Sequence, residues 1–201
     1  IRPFVNRFVG NEDYPDDMFV KPEDAPSYIN ASSVVIVVDV NRPQRTECPE
    51  LLERCKTAVV FDHHRRQSDT ITGAVLSYVD PYASSASEMI TEMIQYVDDN
   101  IKLKAFEADA LYAGINIDTD GFNSKSGPRT FEAAAFLRRH GADVTRVRKM
   151  LRSNMSEYKA IAMAVSRAEV YKDTFAITIF NGDGVDTPTV GGAKAANELL
   201  N

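Results

Sequence analysis

Two apolar runs in this 201-residue chain each end on an aspartate. SVVIVVD closes on Asp39, and AVVFD closes on Asp62. A carboxylate carried at the end of a buried strand is costly unless a cation or hydrogen-bond donors compensate it. His63 and His64 follow Asp62 directly, and the whole chain has only 3 histidines. Adjacent side chains diverge after a strand, so one imidazole can ligate a metal while the other faces substrate. A third carboxylate, Asp118, ends the apolar stretch of GINIDTDGF. Carboxylates combined with imidazole suit Mn²⁺, and two such ions about 3.5–4 Å apart can activate water and steady a phosphoryl transition state. On residue types alone, a metal site and a set of turn-capping carboxylates stand about level. The third histidine, His140, sits in RRHGAD, where a cation suits a helix C-terminus.

The elements that must position these residues can be read from the pattern. The unbroken β-branched run at 33–39 predicts a strand buried on both faces, as in a parallel sheet. Further strands are expected at 58–61 and 76–79. Helices are expected near 1–9, 49–56, 105–118, 130–139, 143–151 and 155–168, with one or two helical turns at 23–29. Another helix opens at Ser84-Ser85 and runs to about Val97, with Glu88 three residues after Ser85 as in a capping box. Beyond residue 168 the pattern changes to short strands at 170–171 and 175–180. A loop around Gly182, Gly184 and Pro188 follows, then a helix at 193–200. Strand and helix alternate in the first part, which predicts an α/β fold with a doubly wound, mainly parallel sheet flanked by helices. A domain boundary is expected near 168, with the beginning of a second α/β domain after it.

Composition narrows the partners. The net charge of −6 gives no general attraction for long DNA or RNA. A small phosphorylated ligand held through bound metal remains compatible, because the metal supplies positive charge locally. Cys48 and Cys55 have no zinc-site spacing and read as structural thiols. No apolar run approaches the roughly 20 residues of a transmembrane helix.

Five segments occur in order: VVDVNRP, FDHHRR, YVDPYASSASEM, AGINIDTDGF and GPRTFEAAAFLRRHGADVTRV. Together they resemble the DHH domain of the GdpP-type cyclic-di-AMP phosphodiesterases, and the likeness runs from Ile1 to Asn201. The resemblance implies a DHH phosphoesterase domain over 1–168 and the start of the DHH-associated substrate-binding domain over 169–201. It implies a Mn²⁺-dependent hydrolase that opens cyclic di-AMP to pApA. Asp39 would bridge two Mn²⁺ ions, and His63 and Asp118 would complete the shell of the second. Asp62 would orient its neighbours, and His64 would face the scissile phosphate. The nucleophile would be water activated by the metals. Ser84, Ser85 and Arg129 become candidate substrate contacts, although an ordinary helix cap and a surface arginine are the plainer readings.

Two family motifs are not in this sequence: a His-x-x-x-Asp-x-Asp segment expected before Ile1 and a GGGH segment expected after Asn201. The chain alone is therefore expected to be inactive. The parent enzyme would present this part in the cytoplasm, anchor itself through N-terminal membrane helices, and possess a surface for homodimer formation. The rival expectations are an exonuclease of the same superfamily acting on very short RNA, and a catalytically silent nucleotide-binding domain.

Overall fold

The computed structural model describes residues 2–97 and 101–200. The chain forms two compact units, Ile1–Met150 and Leu151–Asn201. The first unit contains α1 (Arg2–Val5), β1 (Val34–Val38), α2 (Glu50–Arg54), β2 (Thr57–Asp62), β3 (Leu76–Val79), α3 (Ala86–Val97), α4 (Ala105–Asp118), α5 (Pro128–Arg139) and α6 (Val144–Leu151). Short 3-10 turns lie at Ala25–Ser27 and Pro43–Arg45. Of the helix expected over 1–9, Ile1 falls outside the described residues, and the helix ends at Val5.

β1, β2 and β3 form a parallel sheet in that order. The register sets Val37 beside Val60 and Val38 beside Phe61. Ala58, Val60 and Phe61 are buried in the central strand, and α3 packs against it. Helices α4 and α5 pack on α3, and Met89, Ile115, Leu137 and Val147 are fully buried. This is the parallel α/β layer that the sequence pattern predicts.

One expectation about β1 is corrected. Val37 is buried, but Val34, Ile36 and Val38 are exposed, so the strand is covered on one face only. An apolar run reports that both faces of a strand tolerate burial. It does not report whether a second layer is there to bury them, and β1 lies at the edge of the described sheet.

Two features fix α4. Asp109 is fully buried and receives hydrogen bonds from Arg7 Nη1 at 2.6 Å, Arg146 Nε at 2.5 Å and the Asp143 amide at 2.8 Å. Burial pushes the Asp109 carboxyl up, but Arg146, Asp143 and Arg7 together hold it below the usual range. Gly114 is the second feature. A Cβ there would stand 2.0 Å from Ser87 Oγ and 2.9 Å from Ser87 Cβ. Glycine lets α4 approach α3 more closely than any side chain would allow, one turn before Asp118.

The second unit contains α7 (Met155–Ser166), β4 (Glu169–Tyr171), β5 (Phe175–Ile177) and α8 (Pro188–Glu198). β4 and β5 pair antiparallel across the three-residue turn Lys172-Asp173-Thr174, whose first two residues are at positive φ and whose Thr174 amide donates to Tyr171 O at 3.3 Å. Ile161, Ala164 and Ala195 form its core, with Val165 and Phe180 against them. The division between the compact units falls at Met150–Leu151, before α7, which packs on α8. The last helix also starts earlier than expected: Pro188 opens it, and the glycine pair Gly191-Gly192 runs through it against Phe180.

Gly114→Ala should lower stability by about 1–2 kcal/mol, the overpacking cost exceeding the gain in helix propensity. Adding Ser87→Ala should recover part of that loss. Chemical denaturation of the single and double variants checks this, and an equally stable Gly114→Ala protein would rule out the tight α3–α4 fit.

Candidate metal centre

The sheet and α4 deliver three carboxylates and two imidazoles to one place. Asp39 follows β1 and has φ +69°, in the left-handed region that aspartate tolerates better than most residues. Its amide still donates to Phe61 O at 2.9 Å, so Asp39 stays paired to β2 while its backbone leaves the strand direction. Asp62 ends β2, and His63 and His64 begin the loop that follows. Asp118 is the last residue of α4. Thr119 caps that helix end: its hydroxyl donates to Ile115 O at 2.7 Å and accepts from the Phe122 amide at 3.0 Å.

His63 is the hub. Its Nε2 lies 3.3 Å from Asp39 Oδ1 and 3.7 Å from Asp118 Oδ2. Asp39, His63 and His64 can each place one ligand atom within 4.8 Å of the others. Asp118 joins this group through His63. The hydrogen bond that His63 donates to Asp39 raises the His63 pKa, burial opposes that rise, and the negative charge of Asp118 adds to it. Burial likewise raises the Asp118 pKa, His63 lowers it and Asp39 raises it. A carboxylate at the C-terminal end of a helix also faces the negative end of the macrodipole, where a cation is favoured.

Asp62 is fully buried. Its Oδ1 accepts from the His64 amide at 3.3 Å and engages His64 Nδ1 at 2.7 Å. Its Oδ2 has no hydrogen-bond partner among the described residues. A buried carboxylate oxygen without a partner is unfavourable unless positive charge lies nearby. Asn41, also buried, donates from Nδ2 to His64 O at 3.1 Å and so ties the loop after β1 to the loop after β2. The donor set is three carboxylates and two imidazoles with one oxygen left over, and it fits a divalent cation that accepts oxygen and nitrogen ligands.

The sequence-derived substrate contacts fare differently. Ser84 and Ser85 are buried. The Ser84 hydroxyl donates to Glu88 Oε2, and Ser85 Oγ accepts from the Glu88 amide at 3.0 Å. Both hydroxyls are thus engaged at the N-terminal end of α3, as in the plainer helix-cap reading. Arg129 is likewise engaged within the chain. Its Nε and Nη2 donate to the two Glu92 oxygens, and its Nη1 donates to Asp80 Oδ2, each at 2.7 Å. That clasp holds the Asp80 carboxyl below its usual range. With every nitrogen of its fork engaged, Arg129 joins α5 to α3 and to the turn after β3. His140 caps α5, with Nδ1 2.9 Å from Phe136 O.

Sequence reasoning gave no role to the arginines around the histidine pair. Arg45 and Arg65 line a cavity beside Asp39, Asp62 and His64. The Arg65-Arg66 pair directly after His64 was the available signal.

Among the described residues, no helix is long and apolar enough to cross a membrane. Residues 4–115 match the family model described as the DHH family, N-terminal domain. The chain is 43% identical over 164 residues to the cyclic-di-AMP phosphodiesterase GdpP of Geobacillus thermodenitrificans, covering 82% of this chain and 25% of that protein. It is 37% identical over 201 residues to the cyclic-di-AMP phosphodiesterase PdeA of Listeria monocytogenes, covering 98% of this chain and 30% of that protein. The chain thus spans between a quarter and a third of the length of these relatives. A crystal structure of an exopolyphosphatase-related protein from Bacteroides fragilis shares the fold, with a TM-score of 0.67 at 20% identity over 85% of this chain and 50% of the other. The strand-end carboxylates, the paired histidines and the family match over more than half of the sequence agree, and the chain belongs to the DHH family.

Proposed function

We propose that this chain supplies the metal-holding part of a Mn²⁺-dependent phosphodiesterase that hydrolyses cyclic di-AMP to pApA. The observation that carries the reading is the meeting of Asp39 and Asp118 on His63 Nε2. The similarity to GdpP and PdeA supplies the substrate. Bound divalent metal would activate water and neutralise charge on the phosphoryl group. Asp39, His63 and Asp118 are the residues that would hold it.

His64 takes a different part. The Asp62 contact engages Nδ1 and fixes the ring, so Nε2 is the nitrogen left for the substrate phosphate. Asp62 acts through His64, as carboxylates commonly do behind functional imidazoles. In this reading residues 1–168 form the DHH phosphoesterase domain, and 169–201 open the DHH-associated substrate-binding domain. The parent protein would be anchored in the membrane by other segments and present this part to the cytoplasm.

Two experiments follow. In the natural protein, Asp39→Ala should abolish turnover of cyclic di-AMP and strip Mn²⁺, while His64→Ala should keep the metal and slow turnover by about 10²–10³-fold. Metal analysis of both purified variants, alongside product chromatography, gives the comparison. Equal metal loss in the two would place His64 among the ligands and overturn the division of roles.

The second experiment is pH. The raised His63 pKa means that its stabilising contribution to the metal-free protein is fully present below the ordinary imidazole value. That contribution is lost as pH rises through the folded-state pKa. Metal must displace the same proton, so Mn²⁺ affinity should run the opposite way, falling by about tenfold per pH unit below that pKa. Calorimetric titration across neutral pH measures the slope, and His63→Gln should flatten it. A wild-type affinity independent of pH would exclude His63 as a ligand.

A further inference from the structure

Beside the carboxylate–imidazole cluster lies a cavity of about 320 Å³. Asp39, Asp62 and His64 line one part of it, and Arg45 and Arg65 line another. The neighbouring arginines are already engaged. Arg42 donates from Nε to Asp69 at 2.7 Å, and Arg66 donates from Nη2 to Ser77 O at 3.3 Å. The side chains of Arg45 and Arg65 make no hydrogen bond or ion pair with the described residues. Two unpaired guanidinium groups thus share a cavity with the residues assigned to metal and phosphate, in a chain of net charge −6.

We infer that Arg45 and Arg65 hold the second, non-reacting phosphate of a cyclic dinucleotide. The inference rests on the phosphodiesterase reading above and goes further, because it says how the site tells a two-phosphate ring from a lone phosphodiester. The reacting phosphate receives positive charge from the metal side. The other phosphate of the ring also loses water on entry and needs donors of its own. A guanidinium offers a planar fork that matches two phosphate oxygens, and it remains charged at any working pH. The Pro43–Arg45 turn and the loop after His64 each bring one such fork to the cavity. The Arg42–Asp69 pair, at 2.5 Å between Nη2 and Oδ2, and the Asn41–His64 bond hold these two segments together.

The test uses the natural protein carrying Arg45→Ala, Arg65→Ala and the matching lysine variants. Three substrates are compared: cyclic di-AMP, linear pApA, and bis(p-nitrophenyl) phosphate, which has one phosphodiester only. Calorimetric binding of cyclic di-AMP is measured in parallel, and melting temperatures confirm that the variants fold. Each alanine variant should raise KM for cyclic di-AMP by about tenfold to a hundredfold, with kcat nearly kept. Bis(p-nitrophenyl) phosphate should be turned over as by the wild type, and lysine should restore part of the loss. An unchanged KM for cyclic di-AMP would overturn the inference. So would an equal loss on bis(p-nitrophenyl) phosphate, which would place the arginines at the reacting phosphate. A loss confined to linear pApA would assign them to a terminal phosphate and overturn the cyclic reading. If the wild type hydrolyses none of the three yet binds cyclic di-AMP in an arginine-dependent way, the phosphodiesterase reading fails, the arginines are phosphate contacts of a bound ligand only, and the assignment to a non-reacting phosphate is overturned. If the wild type neither binds nor hydrolyses cyclic di-AMP, both fail.

Discussion

Like charges gathered at the end of a sheet must be compensated, and that requirement governs the first unit of this chain. Asp39 and Asp118 both approach the one imidazole of His63, and Asp62 sits fully buried behind His64. Burial and the Asp39 charge each raise the Asp118 pKa, which measures how unwelcome a further anion is there. Two imidazoles cannot neutralise three carboxylates and also leave Asp62 Oδ2 satisfied. A divalent cation meets both demands at once, through ligands that are already in place.

The remainder of the unit keeps those ligands from relaxing apart. Each carboxylate sits at the end of a regular element, so its position is set by packing rather than by a long loop. Asp39 is still tied to β2 through its amide while its own backbone turns left-handed, a conformation that only a well-determined neighbourhood maintains. Asp118 is placed by α4, which the buried Asp109 ties to Arg7 and Arg146. Ser85 caps α3, and Arg129 clasps α5 to α3. These residues lend the cluster stiffness without touching it. Ser84 and Arg129 are engaged by the chain's own carboxylates, and Ser85 by the Glu88 amide.

How far the sequence could be read follows from what each signal measures. Strand ends, the Asp62-His63-His64 triplet and the Asp118 helix end are local features, and local pattern reports them well. The capping geometry at Ser85 and Glu88 was equally visible, because a capping box is a spacing rule. Three other matters depend on what lies across space. Val34, Ile36 and Val38 read as buried because apolar β-branched runs do, but burial needs a covering layer. Arg129 read as free because its partners, Asp80 and Glu92, are 49 and 37 residues away in sequence. The same blindness hid Arg45 and Arg65, whose significance is that nothing in the described structure pairs with them. Helix α8 was read short because Gly191 and Gly192 look like loop residues, and only the proximity of Phe180 explains why small residues belong in that helix.

Charge arranged this way also sets the size of ligand the chain can accept. A net charge of −6 repels an extended polyanion at every point where metal or arginine does not intervene. The guanidinium groups of Arg45 and Arg65 line one cavity together with Asp39, Asp62 and His64, and in the proposed function bound metal would add positive charge beside them. Arg42, which also lines the cavity, is paired with Asp69. A field reversed over so short a distance rewards a compact ligand whose phosphates all fit within it and penalises one whose backbone runs on. Under the proposed function, the ring of a cyclic dinucleotide would meet that condition with its two phosphates, whereas each further nucleotide of a longer strand would add a charge with no cation to receive it.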